Sequence, residues 1–194
     1  LEGTDECRLV TWNLQRDVGM TCGGEMTFLF ERVCPEPPWH VLVFGAGHVS
    51  QALVRLLCTL RCRVDVVDTR NDWLSRLPSN EIVVPHKVER FEQGVDLVTK
   101  ESFVVSITMG HSTDRPVLSA ILKRFGSLPY LGVIGSASKR VVLLRELSED
   151  GIGKESLDSL ICPIGLPLGS NDPAEIAVSV VAQLLQTRDL IKDS

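Results

Sequence analysis

HVLVFGAGHVSQAL, residues 40–53, is the stretch on which the reading of this chain turns. A short apolar run, Val41 to Phe44, stops at Gly45-Ala46-Gly47. Apolar residues then recur at Val49, Leu53, Leu56, Leu57 and Leu60, the spacing of one helix face. Strand, glycine turn and helix in that order open a nucleotide-binding βαβ unit. In that unit Gly45 permits the tight turn and Gly47 lets backbone approach a phosphate. The helix N-terminus adds unpaired N–H groups and about half a positive charge. Ser50 replaces the third glycine of GxGxxG, a departure its small size tolerates. His48 sits inside the turn, where capping or packing competes with ligand contact. Asp68 ends the next apolar run, 21 residues beyond Gly47 (68 − 47), where a carboxylate can accept two ribose hydroxyls. The competing account is that the glycines serve only strand-to-helix packing.

Outward from the turn the chain alternates. Strands are expected at Val41–Phe44, Arg63–Val67, Glu81–Val84, Phe103–Ile107 and Leu131–Ile134. Helices are expected at Val49–Leu60, around Asp72–Leu77, around Pro116–Phe125, at Ser138–Leu147 and at Pro173–Leu190. Asp172 can cap the last helix, Pro173 suits its first turn, and Glu175 completes a capping box. Alternation of this kind predicts an α/β fold: a Rossmann-like parallel sheet with helices on both faces. Residues 1–34 read differently, as a small β-rich segment with strand character at Thr27–Val33. The proline-rich linker 35–39 separates it from a Rossmann-like domain over 40–194.

Composition narrows the function. The chain has 194 residues, enough for one domain and a small appendage, and at 44% hydrophobic it can bury a proper core. A net charge of −5, with no long run of one sign and only 5% aromatic residues, argues against nucleic acid or an anionic membrane as partner. No apolar run approaches the roughly 20 residues of a membrane-spanning helix, and no signal-peptide pattern is visible. The six cysteines show no CxxC or zinc-type spacing, so reduced thiols in a cytoplasmic protein are expected. The chain begins at Leu1-Glu2 without a methionine, as a truncated or short form would.

Ligands of open parallel sheets bind beyond the carboxyl ends of the strands. Four loops are expected there: Gly45–Ser50, Asp68–Asp72, Thr108–Asp114 and Gly135–Arg140. In the last, Gly135 and Ser136 open a helix carrying Lys139 and Arg140 in its first turn. Basic residues there oppose the helix dipole, which an anionic ligand would explain; the competing account is a solvated basic turn. His111 and Asp114 are too few for a metal site, and Asp114 before Arg115-Pro116 reads as a helix cap. In MTCGGE (20–25), Cys22 precedes Gly23 and Gly24. Backbone N–H groups in such a turn can face a thiolate and favour a soft-metal or sulfur role. A plain buried cysteine in a glycine turn is the simpler account.

Taken together, GMTCGGE, VFGAGHVSQAL, VDVVDTR, VIGSASKR and PIGLPLGSNDPAEIAVSVVAQLL resemble the xanthine dehydrogenase accessory proteins, the XdhC/CoxI family. The resemblance implies a non-catalytic chaperone that binds the molybdenum cofactor (molybdopterin or its dinucleotide form) and protects it during sulfuration by a cysteine desulfurase. It then delivers the cofactor to a xanthine dehydrogenase-type molybdenum hydroxylase. Carried over by position, the cofactor-binding residues are Cys22, Gly23 and Gly24, then Gly45, Gly47 and His48, then Gly135, Ser136, Lys139 and Arg140. Cys22 stands as a neighbour of molybdenum, while the crevice takes the phosphate end. A homodimer is also implied. Ala137 and Ser138 depart from the expected basic residues, and Gln183 stands where the family's last helix has a glutamate. Two other classes explain GxG and Asp68: an NAD(P)-dependent oxidoreductase and a nucleotide-sensing regulatory module. The first lacks room for a substrate domain, and the second gives the CGG turn no role.

Overall fold

A computed structural model describes residues 7–21, 23–31 and 39–192. Cys22, on which one expectation falls, lies outside the described residues, as does most of the linker at 35–39. The chain divides into two compact units, residues 1–36 and 37–194.

In the first unit, β1 (Cys7–Asn13) pairs antiparallel with β2 (Glu25–Glu31), from Cys7 opposite Glu31 to Asn13 opposite Glu25. Strand alternation gathers aromatic rings on one side: Trp12 lies 4.9 Å from Phe28 and 6.0 Å from Phe30. The strand expected over Thr27–Val33 begins two residues earlier, as β2, and β1 has no counterpart in the sequence reading. Its adjacent apolar pair Leu9-Val10 hides the two-residue period.

The second unit holds a six-stranded parallel sheet of β3 (His40–Phe44), β4 (Arg63–Asp68), β5 (Val83–Lys87), β6 (Phe103–Ser106), β7 (Tyr130–Val133) and β8 (Leu160–Ile161). Its spatial order is β5-β4-β3-β6-β7-β8. Counted from the first strand of this sheet, that is the doubly wound order 3-2-1-4-5-6, whose direction switches between β3 and β6. The helices are α1 (His48–Leu57), α2 (Asn71–Leu74), α3 (His111–Phe125), α4 (Ala137–Glu149), α5 (Lys154–Asp158) and α6 (Pro173–Lys192). Val41 and Val43 point to one side and pack with Leu53, Leu57, Val180 and Leu184 of α1 and α6. Leu42 and Phe44 point to the other and pack with Val117, Ile121, Leu143 and Leu147 of α3 and α4. Burial on both faces explains why the strands read as continuous apolar runs rather than alternating ones.

The boundaries differ from the sequence reading where polar chemistry intervenes. Helix α3 starts at His111, not near Pro116, because Asp114 of its polar first turn is buried among donors rather than solvated; Pro116 lies inside the helix. Helix α1 stops at Leu57, where the Thr59 hydroxyl donates to the Leu56 carbonyl at 2.7 Å. Strand β5 is shifted to Val83–Lys87 and contains Pro85, tolerated because β5 is a sheet edge. At α6, Asp172 accepts from Ala174 N at 2.8 Å as a cap should, but the expected capping box does not close. Glu175 turns instead to the backbone N–H of Ser170.

Asp65 on β4 is 1% exposed and carries no sequence signal of its own. Its carboxylate meets His40 Nε2 at 2.7 Å and His86 Nε2 at 2.6 Å, and accepts from Arg63 Nε at 2.9 Å. Burial pushes its pKa up, but the hydrogen bonds from His40, His86 and Arg63 outweigh burial and hold it well below the ordinary carboxylate range. A carboxyl depressed in the folded state stabilises the fold fully above its unfolded pKa of about 4 and loses that contribution as pH falls below it. Asp65→Asn is therefore expected to cost roughly 2–4 kcal/mol at pH 7, somewhat below the fully buried range because its partners reach solvent. Urea unfolding of both proteins from pH 7 down to pH about 3 checks this; the gap between them should narrow below pH about 4.

Candidate functional site

The glycine turn after β3 lies at the carboxyl edge of the sheet, beside the switch point. Gly45 has φ +96°, and a Cβ there would fall 2.1 Å from the carbonyl oxygen of Ile107. Only glycine fits, both for its backbone conformation and for that close approach. The turn is fastened to the neighbouring strands: Gly45 N donates to Val67 O at 2.8 Å, and Ile107 N to Phe44 O at 2.7 Å. Gly47 is different. Its φ is −69°, and a Cβ there would meet nothing within 4 Å. It caps α1 without any side-chain hydrogen bond, so the first N–H groups of α1 carry no side-chain partner. Ser50, fully buried in that first turn, has a hydroxyl with no hydrogen-bond partner. His48 is exposed and packs edge-on against Trp73, 4.8 Å between ring centroids.

Asp68 stands at the end of β4, as expected, but its carboxylate is already engaged. It is fully buried and accepts four hydrogen bonds: Ala46 N at 2.6 Å, and Arg70 N, Nε and Nη2 at 2.9, 2.9 and 2.8 Å. Burial alone would raise its pKa; Arg70 and the two backbone N–H groups hold it below the ordinary range. A ribose approaching Asp68 would have to displace the Arg70 fork.

The loop after β6 carries a buried polar network. Asp114, fully buried, accepts from Ser106 Oγ at 2.7 Å, Thr108 Oγ1 at 2.6 Å and Lys139 Nζ at 2.5 Å. This corrects the reading of Asp114 as a helix cap: Gly110 holds the cap position, and Asp114 lies within the first turn of α3. Lys139 also donates to Ile134 O at 2.7 Å, and Arg140 Nη1 to Leu160 O at 2.5 Å. Ser136 caps α4 by accepting from Lys139 N at 3.2 Å. No anionic ligand is needed to explain the basic residues at this helix start, because internal acceptors hold both of them. Gly135 is confined by the Lys139 side chain, 2.6 Å from where its Cβ would lie. The Asp114–Lys139 pair had no sequence signal beyond the residues themselves, since 25 positions separate them.

Burial raises the pKa of Cys162 next to this network, against the opposing pull of Lys139 and Arg140. Burial likewise pushes Cys62 up to about 11. Cys7, Cys58, Cys62 and Cys162 are free. His111 lies 3.2 Å from Glu146, while Asp114 faces Lys139, so the two do not share a target. Among the described residues no cluster of three or more His, Cys, Asp or Glu could hold a metal ion. Gly23 and Gly24 lie in the other unit; Gly24 adopts φ +146° and accepts from Leu14 N at 2.9 Å.

Residues 41–184 match the family model of the XdhC Rossmann domain. The chain belongs to the XdhC family. Among similar proteins, Escherichia coli (strain K12) YqeB is 30% identical over 175 residues, 89% of this chain and 31% of that protein. A Bacillus subtilis (strain 168) protein named as a probable xanthine dehydrogenase subunit is 29% identical over 160 residues, 81% of this chain and 45% of that protein. A crystal structure described as a xanthine dehydrogenase from Bacillus halodurans superposes with TM-score 0.64 at 25% identity, covering 85% of this chain and 45% of that one. The chain thus spans less than half the length of the relatives it matches.

In this XdhC-family domain the two glycines of the turn separate cleanly by role. Gly45→Ala is expected to cost about 2–4 kcal/mol from strain at positive φ and the Ile107 clash, whereas Gly47→Ala stays within about 1 kcal/mol of the parent protein. Chemical denaturation of the two variants side by side measures the contrast; equal losses would contradict it.

Proposed function

We propose that this XdhC-family chain is an accessory protein that binds the molybdenum cofactor and protects it during sulfuration by a cysteine desulfurase. It then passes the cofactor to a xanthine dehydrogenase-type molybdenum hydroxylase. The observation that carries the reading is the start of α1. Its N–H groups have no side-chain cap, Gly47 faces open space, and the buried Ser50 hydroxyl lacks a partner. A phosphate end supplies the charge and acceptors that these groups lack. The residues present therefore fit the phosphorylated end of the cofactor, with Gly45, Gly47, His48 and Ser50 as its holders. The names carried by the Bacillus relatives support a client of the xanthine dehydrogenase kind.

When bound, the cofactor supplies molybdenum and dithiolene sulfur, and soft ligands suit both. Cys22 is carried in the reading as that soft ligand, on the resemblance alone. What the chain itself contributes is retention and shielding, without turnover. Of the second anion loop, Ser136, Lys139 and Arg140 are already engaged internally, so their part is to fix the loop that borders the crevice. The chaperone is placed in the cytoplasm and taken to work as a homodimer. No helix among the described residues is long and apolar enough to cross a membrane.

The second reading, an NAD(P) site, is favoured by the 3-2-1-4-5-6 strand order and the glycine turn. It is opposed by the occupied carboxylate of Asp68. One experiment separates the two. The protein is mixed with freshly released molybdenum cofactor and desalted, and bound molybdenum and pterin fluorescence are measured with and without excess NAD. Near-stoichiometric molybdenum that NAD does not displace is expected. Retention should fall about tenfold in Gly47→Val, which closes the phosphate approach, and in Cys22→Ser with folding intact. No molybdenum together with saturable NAD binding would overturn the reading.

A further inference from the structure

A second cationic site lies on the outer side of α1, away from the polar network of Asp114. Three elements wall an open cleft of about 420 Å³: the His48–Gln51–Arg55 face of α1, Trp73 and Arg76 at α2, and the start of α6 at Asp172. Arg76 stands over the Trp73 ring, 4.8 Å from its centroid, and Arg70 lies at 5.1 Å. Stacking uses the face of a guanidinium and leaves the N–H groups at its edge free. Arg70 spends those groups on Asp68. Arg76 and Arg55 have no carboxylate within ion-pair range among the described residues. Among the described residues one carboxylate lines the cleft, Asp172, whose Oδ1 accepts from Ala174 N at 2.8 Å. Gln51 is 6% exposed; its Nε2 donates to Ala46 O and Trp73 O, each at 3.0 Å, and its Oε1 makes no hydrogen bond.

Two guanidiniums without an ion-pair partner, one of them lying over an indole, thus line one cleft on a chain of net charge −5. A guanidinium edge offers the paired N–H donors that a tetrahedral oxyanion accepts. Trp73 already has Arg70, Arg76 and His48 against its ring, so the indole serves to orient Arg76 rather than to stack a base. We propose that this cleft is a phosphate site, with Arg55 and Arg76 as its ligands. It goes beyond the cofactor reading and does not rest on it. The phosphate has two possible sources: a separate phosphate-bearing molecule, or the far phosphate of a ligand whose other end sits at the start of α1. His48 belongs to both places.

The test titrates the full chain with inorganic phosphate at constant ionic strength, with chloride as the balancing anion, and follows the phosphorus resonance. Saturable line broadening is expected. Arg55→Gln and Arg76→Gln should each weaken it about tenfold, the loss of one charge-assisted contact. Both side chains are exposed, so folding is retained; Arg145→Gln, on the far helix α4, is the charge-matched control and should bind as the parent does. A parallel titration uses ADP. If one ligand spans both places, Gly47→Val and the arginine variants all weaken ADP. If the sites are separate, Gly47→Val leaves phosphate binding unchanged while the arginine variants remove it. Either result upholds the site. Unsaturable broadening, or equal broadening in Arg55→Gln/Arg76→Gln and the parent, would overturn it, whatever the fate of molybdenum retention.

Discussion

The approach of the Gly45 backbone to the carbonyl of Ile107 is the constraint on which the rest of the domain depends. It lets the chain leave β3, turn between β4 and β6, and enter α1 without prising those strands apart. Two backbone hydrogen bonds, from Gly45 to Val67 and from Ile107 to Phe44, then lock three strand ends into one register. The crevice at the switch point follows from this packing. So does the position of α1, whose N-terminus points where the strands end. Any side chain at position 45 would oppose all of these at once.

Buried charge is handled in one way throughout the domain. Asp65, Asp68 and Asp114 are each at most 1% exposed, and each is surrounded by donors from its own chain. An ionised carboxylate taken out of water needs such partners. The consequence for function is restrictive. Asp68 and the Lys139 loop, which a glycine-turn sequence assigns to ligand, are committed internally. Beside the glycine turn, donors not committed in this way are the uncapped start of α1 and the guanidiniums of Arg55 and Arg76.

How much of this was legible follows from which interactions leave a local trace. The sheet, its helices and the glycine turn were readable because burial on both faces writes continuous apolar runs and a 3.6-residue period into consecutive residues. Gly45 was readable because positive φ selects glycine locally. The pairing of Asp114 with Lys139, and of Asp65 with His40 and His86, was not, since contacts across 21 to 25 positions leave no period. For the same reason the polar HSTD stretch looked like a loop: the burial of Asp114 within it is arranged by Ser106, Thr108 and Lys139. Helix α5 and the two-residue β8 are too short to display any period.

Gly47 and Arg76 pose the same physical question from opposite sides. The start of α1 has no side-chain cap, and beside it Arg55 and Arg76 have no carboxylate within ion-pair range among the described residues. Exposed arginines are cheap to leave solvated, so lack of an ion pair alone means little. What distinguishes Arg76 is that it lies over the indole of Trp73, a contact that restricts the rotamers a ligand would otherwise have to select. A Cβ at Gly47, likewise, would meet nothing within 4 Å among the described residues. In both places the order is already present before an anion arrives. Preorganised donors without an internal acceptor are what separates a binding surface from a merely charged one, and that difference is the physical ground for both proposed sites.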